Sequence, residues 1–325
     1  MNESQQYVLG VDGGGSKTVA WLVERSMIPP FPDSQSPDSQ GADPLVPLGI
    51  GRAAGSNVRT VGMEAATQHL RQAVEAAFAD AGIEPRTVAA ACFGLAGAEH
   101  ADAQIPFQDW AEQEQIAYKT IITNDAEPIL HAEVEDGYGI ALIAGTGSFS
   151  LGENAYDRVR NGGWGPLFGD EGSGYAIALD GLRAATRFAD GRGPKTKLLA
   201  AFLERLELDE VSDLVGAMYR SSMDRRQIAE LGEVVFMMAP EDRVAEGILQ
   251  RAAVELALLV HKVANQLEDT EHELPVLLTG GVLINHPAFQ ERLVQTLKQT
   301  GWQGSRVYPV PNPVAGAVRI AAKNC

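Results

Sequence analysis

The sequence predicts an α/β fold built from two similar domains, and three observations predict it. Apolar strands alternate with helical segments along the chain, the pattern expected of parallel strand pairing. Two stretches about 130 residues apart, VLGVDGGGSKTVAWLV and IALIAGTGSFSLG, both read as strand, glycine-rich loop, strand. At 325 residues the chain is longer than one hydrophobic core usually serves. Two matching halves would leave a ligand site between them.

In order, Val8–Val11 and Val19–Val23 read as strands around the first loop. Met27 to Pro47 holds six prolines and no period, so it reads as a long surface loop. Met63 to Ala81 is helical, with Leu70, Val74 and Phe78 on one face and Gly82 as its stop. Val88–Leu95 is an apolar strand ended by Gly97. Ala101–Gln115 reads as helix, and Ile121–Thr123 as a short strand running into Asn124-Asp125 and another helix. Ile140–Ala144 and Ser148–Leu151 are strands around Gly145-Thr146-Gly147. After the glycine-rich Asn161–Gly174 the pattern is mostly helical from Tyr175 to about Leu267. Val276–Thr279 is a strand ending in Gly280-Gly281. Arg306–Val310 is a last strand and Pro313–Lys323 a last helix.

Composition excludes several classes. With 26 basic against 43 acidic residues the net charge is −17, which disfavours nucleic acid or an anionic membrane as partner. Any phosphate must then be held locally, by backbone N–H groups, a metal or a few cations. Cys92 and Cys325 are the only cysteines, too few for a disulfide scaffold or a cysteine zinc site. MNESQQ is polar and no apolar run approaches ~18 residues, so no signal peptide or membrane span is expected and the setting reads as cytoplasmic. The spacing of His100, His131, His261 and His286 suggests no zinc site.

The opening loop, Asp12-Gly13-Gly14-Gly15-Ser16, invites three phosphate-binding readings. A Walker A loop is spoiled by Ser16 ahead of Lys17-Thr18. A Rossmann loop must lead into a helix, whereas Val19 to Val23 is strand. A β-hairpin presenting its turn N–H groups to phosphate fits the flanks, with Asp12 holding a hydrated Mg²⁺. An ordinary glycine-rich hairpin, with Asp12 as turn former, stands equally open. Gly145-Thr146-Gly147-Ser148 repeats the arrangement, and two such hairpins could clasp a triphosphate. Asp125, at a strand end, suits a general base for a substrate hydroxyl; as an isolated feature it fits a helix cap better. Gly162 to Gly174 packs six glycines with Asp170 and Glu171. Its N–H groups and the Asp170 carboxylate could bind polyol hydroxyls, while Trp164 reads either as part of that site or as core.

Taken together, these pieces resemble the sugar-kinase branch of the actin/Hsp70/hexokinase superfamily, and within it the N-acetylglucosamine kinase-like members of the BadF/BadG/BcrA/BcrD-type ATPase family. The resemblance is carried by GVDGGGSKT, AGSN (Ala54 to Asn57), GLAG (Gly94 to Gly97), TNDA, LIAGTGS, GGWGPLFGDEGSG and LLTGGV (Leu277 to Val282), in the family's order. It implies two ribonuclease H-like domains with an interdomain cleft. These would be 1–123, with a helix at 312–325 packing back onto it, and 124–311, carrying helical insertions. It implies ATP and Mg²⁺, and phosphorylation of an amino sugar, with N-acetylglucosamine going to its 6-phosphate. Asp12 would be the Mg²⁺-linked acid. Gly13, Gly14, Gly15, Ser16, Gly145, Thr146 and Gly147 would contact phosphates, and Gly280 and Gly281 would pass close to adenosine. Asp125 would activate the sugar 6-hydroxyl, with Asn57, Gly163, Trp164, Gly165 and Asp170 binding the sugar. Relatives commonly form dimers, so a homodimer is implied.

The Met27–Pro47 loop is longer than the family's hairpin connection, and Glu99 stands where relatives often have Asp, which bears on sugar choice. Glucosamine or N-acetylmuramate kinase activity is a neighbouring alternative. Another is an ATPase activator of an acyl-CoA dehydratase or reductase, but that role needs a cluster held by cysteines between subunits. A non-catalytic sensor would not require both loops and a base.

Overall fold

The structure is a computed structural model that describes residues 6–31, 45–219, 223–267, 274–302, 304 and 306–325. Most of the proline-rich Met27–Pro47 loop, residues 32–44, lies outside the described residues. The chain falls into two compact units, 1–138 with 312–325, and 139–311. The break follows Tyr138, so residues 124–138, expected with the second half, belong to the first.

The first unit runs β1 (Tyr7–Gly13), β2 (Lys17–Glu24), β3 (Gly49–Ala54), α1 (Val58–Val61), α2 (Met63–Ala81), β4 (Val88–Leu95), α3 (Ala101–Gln113), β5 (Ala117–Asn124) and α4 (Glu127–Glu133). The second runs β6 (Gly139–Ala144), β7 (Ser148–Glu153), β8 (Arg158–Gly162), α5 (Gly174–Ala189), α6 (Leu198–Arg205), α7 (Asp213–Met218), α8 (Arg225–Glu230), α9 (Gly232–Met238) and α10 (Arg243–Gln266). It continues with β9 (Val276–Thr279), α11 (Gly281–Ile284), α12 (Pro287–Gln299) and β10 (Val307–Pro309), after which α13 (Val314–Lys323) returns to the first unit.

The repeat seen in the two glycine loops extends to whole sheets. The first sheet has strand order β3-β2-β1-β4-β5, and the second, read from β8, has β8-β7-β6-β9-β10. In each, the strand before the glycine loop pairs antiparallel with the strand after it and parallel with a later strand. The fold is therefore α/β with one mixed five-stranded sheet per unit.

Strand alternation sorts the first unit's core. Leu9 and Val11 of β1, with Ala91, Phe93 and Leu95 of β4, pack under α2 and α3. Val8, Ala90 and Cys92 face the other way, onto Val314, Ala317 and Val318 of α13. Phe93 meets Trp110 edge to face, ring centroids 5.8 Å apart, an arrangement worth ~1 kcal/mol beyond burial. The second unit centres on Ile140 and Leu142 of β6, Leu278 of β9, and the apolar faces of α5 and α10. Helix α2 stops at Gly82, whose φ of 65° lets its N–H reach the carbonyls of Phe78 and Ala79. Among the described residues, no helix is long and apolar enough to cross a membrane.

Candidate active site

The first glycine loop is a hairpin turn. Asp12 pairs with Val19 and Gly13 with Thr18 across β1 and β2, and the Gly14 N–H donates to the Lys17 carbonyl at 3.0 Å. The AGSN segment holds this turn from beneath. Ser56 N–H donates to the Gly14 carbonyl at 3.0 Å, and the Thr18 hydroxyl donates to the Ala54 carbonyl at 2.7 Å. Thr18 Oγ1 also lies 3.0 Å from Ser56 Oγ, and both residues are buried. Gly55 lets the two segments touch: a Cβ there would sit 2.2 Å from the Gly15 carbonyl oxygen. The turn is thus pinned from one side, while Gly15, Ser16 and Lys17 are exposed on the other.

The parallel strands bring further groups to the same sheet edge, because carboxyl ends of parallel strands lie together. Asp12 is in register with Gly94 of β4, and Gly94 with Thr123 of β5. Two residues past Thr123 comes Asp125. Burial, and next the charge of Asp125, push the Asp12 carboxyl up to about 7, with Lys17 partly offsetting them. Helix capping falls to Asn124: its Oδ1 accepts from the N–H groups of Ala126 and Glu127 at 2.9 and 3.0 Å. Asn57 uses its Oδ1 to accept from Arg59 N–H at 3.0 Å, capping α1. Arg59 in turn pairs with Glu99 at 2.6 Å, so the Glu99 position is linked to the turn that carries Asn57.

In the second unit, Gly145 N–H donates to the Gly147 carbonyl at 2.9 Å between β6 and β7. The glycine-rich 162–174 segment wraps this turn. Gly163 N–H donates to the Ser148 carbonyl, Gly174 N–H to the Gly145 carbonyl, and Ser148 Oγ to the Glu171 carbonyl at 2.7 Å. Asp170 has φ 63°, uncommon for a residue with a Cβ. The residue that the sequence reading assigns to sugar hydroxyls is 3% exposed, accepts from Ser148 N–H at 3.3 Å and pairs with Arg225. Gly280 and Gly281 abut this turn. Gly280 has φ 94°, and a Cβ there would lie 2.3 Å from the Ala144 carbonyl oxygen. Of the two readings of Trp164, core is excluded: the residue is 76% exposed.

Sequence reasoning missed Arg225, which lies in a long helical stretch with no glycine signature, 55 residues from its partner. It also missed the Thr18–Ser56 staple, although both residues stand inside quoted motifs. Among the described residues no group of three or more His, Cys, Asp or Glu could hold a metal. A cation would therefore meet one or two carboxylates plus water and phosphate, the habit of Mg²⁺. The Asp12 environment fits that role, since a carboxyl whose proton affinity is raised by burial and by a neighbouring acid also attracts a dication. Cys92 is buried in β4, and burial pushes its thiol well above the usual range, which suits core packing and not thiolate ligation.

Known proteins resemble this chain over nearly its whole length. The sequence profile of the BadF/BadG/BcrA/BcrD ATPase family matches residues 9–321. The N-acetylmuramic acid/N-acetylglucosamine kinase of Clostridium acetobutylicum is 32% identical, the match covering 98% of this chain and 99% of that protein. The N-acetyl-D-glucosamine kinase of Dictyostelium discoideum is 28% identical, covering 98% of each. A proposed N-acetylglucosamine kinase of Chromobacterium violaceum has a solved structure that superposes with a TM-score of 0.71 at 25% identity, covering 97% of this chain and 98% of that one. With the family profile spanning nearly every element described above, the chain belongs to the BadF/BadG/BcrA/BcrD ATPase family.

Proposed function

We propose that the protein is an ATP-dependent amino-sugar kinase that converts N-acetylglucosamine to its 6-phosphate. The observation that carries the reading is the pairing of roles at the end of β5. Asn124 caps the helix, and the neighbouring Asp125 shares its surroundings with Asp12 across the sheet edge. A carboxylate so placed can take the proton of a sugar 6-hydroxyl as that oxygen attacks the γ-phosphorus; the bond to the ADP oxygen breaks and ADP leaves. Burial first, and the charge of Asp125 second, raise the proton affinity of Asp12, so the two carboxylates act on one another's surroundings at this sheet edge.

The other residues follow from their positions. Gly13 to Ser16 in the first unit and Gly145 to Gly147 in the second offer turn N–H groups to phosphate oxygens. Gly280 and Gly281, lacking side chains, let the adenosine approach the backbone. Asn57 and the Gly163–Gly165 segment bind the sugar, with the exposed Trp164 ring offering an apolar face to it. Asp12 would hold Mg²⁺, which when bound neutralises phosphate charge. Relatives acting on N-acetylglucosamine, and in one case also on N-acetylmuramic acid, support the substrate class. A homodimer, implied by the family resemblance, and a cytoplasmic setting complete the reading.

A sugar panel with coupled ADP detection tests it. N-acetylglucosamine should give Mg²⁺-dependent ADP release, with the phosphate on the 6-oxygen by NMR. ADP release that ignores every amino sugar offered, glucosamine and N-acetylmuramate included, would overturn the proposal.

A further inference from the structure

Arg225 opens α8, and three features fix its guanidinium. Its Nη2 pairs with the carboxylate of buried Asp170. A Cβ at Gly147 would come within 2.7 Å of that same Nη2 and 3.1 Å of both Asp170 oxygens, so the ion pair lies directly against the second glycine turn. The backbone beneath it is locked. Asp224 accepts from Gln227 N–H at 2.8 Å and the Gln227 side chain accepts from Asp224 N–H at 2.8 Å.

Two further points suggest that the pair is more than a structural clamp. The Asp170 side chain is almost wholly buried, yet that of Arg225 is 42% exposed. A guanidinium has five N–H donors in a planar fork, so the pair with Asp170 leaves donors over. The φ of Gly147 lies outside the left-handed region, so backbone conformation does not demand glycine there. A Cβ there would meet the tip of the flexible Arg225 side chain and both Asp170 oxygens, so a side chain at 147 would shift the ion pair. In a chain of net charge −17, a cation seated on a glycine turn matches an anion that binds at that turn.

We propose that Arg225 is a ligand for the phosphate chain of the nucleotide at Gly145–Gly147, with Asp170 as the residue that positions it. This deepens the kinase reading and rests on it. As the γ-phosphoryl group moves to the sugar oxygen, negative charge grows on the departing ADP. A pre-oriented guanidinium beside that charge stabilises it without reorganisation. The buried carboxylate sets the direction of the fork and leaves its outer donors for phosphate.

Calorimetric titration of the wild type, Arg225→Gln and Arg225→Lys with ATP, ADP and adenosine, beside steady-state kinetics, tests this. Arg225→Gln should weaken ATP and ADP about 10- to 100-fold, the usual weight of a charge-assisted contact. Adenosine affinity and the KM for N-acetylglucosamine should stay within about twofold, and Arg225→Lys should recover part of the loss. Should Arg225→Gln fail to fold, the lysine variant carries the same comparison, with a smaller selective loss expected. Equal losses for adenosine and ATP, or a changed sugar KM with unchanged nucleotide affinity, would sink the assignment. If the wild type phosphorylates sugar while Arg225→Gln keeps its ATP affinity, only Arg225 is wrongly assigned. If the wild type binds no ATP, the kinase reading falls with it.

Discussion

Asp12 on β1 and Asp125 just past the end of β5, two strands separated by β4, are electrostatically coupled: burial first, and the charge of Asp125 second, shift the Asp12 carboxyl from 3.8 to about 7. The sign of the consequence follows directly. The folded state holds this proton more tightly than the unfolded chain does. The proton of Asp12 is thus a source of stability that is complete below about pH 4 and is lost as pH climbs through 7. The shift corresponds to a ceiling of ~4 kcal/mol, reduced by whatever water reaches the group. Asp12→Asn should therefore melt higher than wild type at pH 8 and nearly match it at pH 4, while losing turnover. An unchanged difference in melting temperature across that range would refute the shift.

The same carboxyl sets a metal profile. Mg²⁺ or Mn²⁺ must displace the Asp12 proton, so apparent affinity should fall about tenfold for each pH unit below 7. Titration of the nucleotide complex with Mn²⁺ by electron spin resonance between pH 5.5 and 8 reads this slope. A flat profile would remove Asp12 from the metal site.

Neighbours Asn124 and Asp125 divide two jobs, and variants should separate them. Asn124→Ala removes an acceptor from two helix N–H groups and should cost ~1 kcal/mol of stability in denaturant melts. Asp125→Asn should leave the melt nearly unchanged and lower sugar-dependent ADP release by ~10²–10⁴-fold. Near-normal turnover in Asp125→Asn, or a large loss of stability, would return Asp125 to a structural role.

Gly280 combines a left-handed φ with contact against Ala144, so any side chain there is strained and crowded together. Gly280→Val should destabilise the second unit by ~3 kcal/mol or more and abolish nucleotide binding in whatever fraction folds. Wild-type nucleotide affinity in a well-folded Gly280→Val protein would show that the backbone there stands clear of the ligand.

Much of this was legible in the chain because its signals are local. The strands β4 and β9 and the helix α2 follow from uninterrupted apolar runs or a clean 3.6-residue period. The hairpin nature of the first loop follows from Val19 to Val23 alone. Other elements are invisible for equally physical reasons. In β3, GIGRAA, glycines take the places where an inward-facing apolar pattern would appear, because α2 lies too close for side chains at Gly49 and Gly51. In β8, RVRNG, an outer strand carries polar residues and lacks alternation. The site shows the same division. Glycines and acids of the loops declare themselves in sequence, whereas Arg225 and the Asn124 cap depend on which groups the folded chain brings within reach.

Helix α13 closes one face of the first sheet, yet it is translated only after the entire second unit. On the ribosome, the first unit therefore waits with Val8, Ala90 and Cys92 uncovered while some 170 residues of its neighbour emerge. Its tertiary structure is completed last although its synthesis begins first, which makes this half of the molecule the natural client for chaperones during biogenesis.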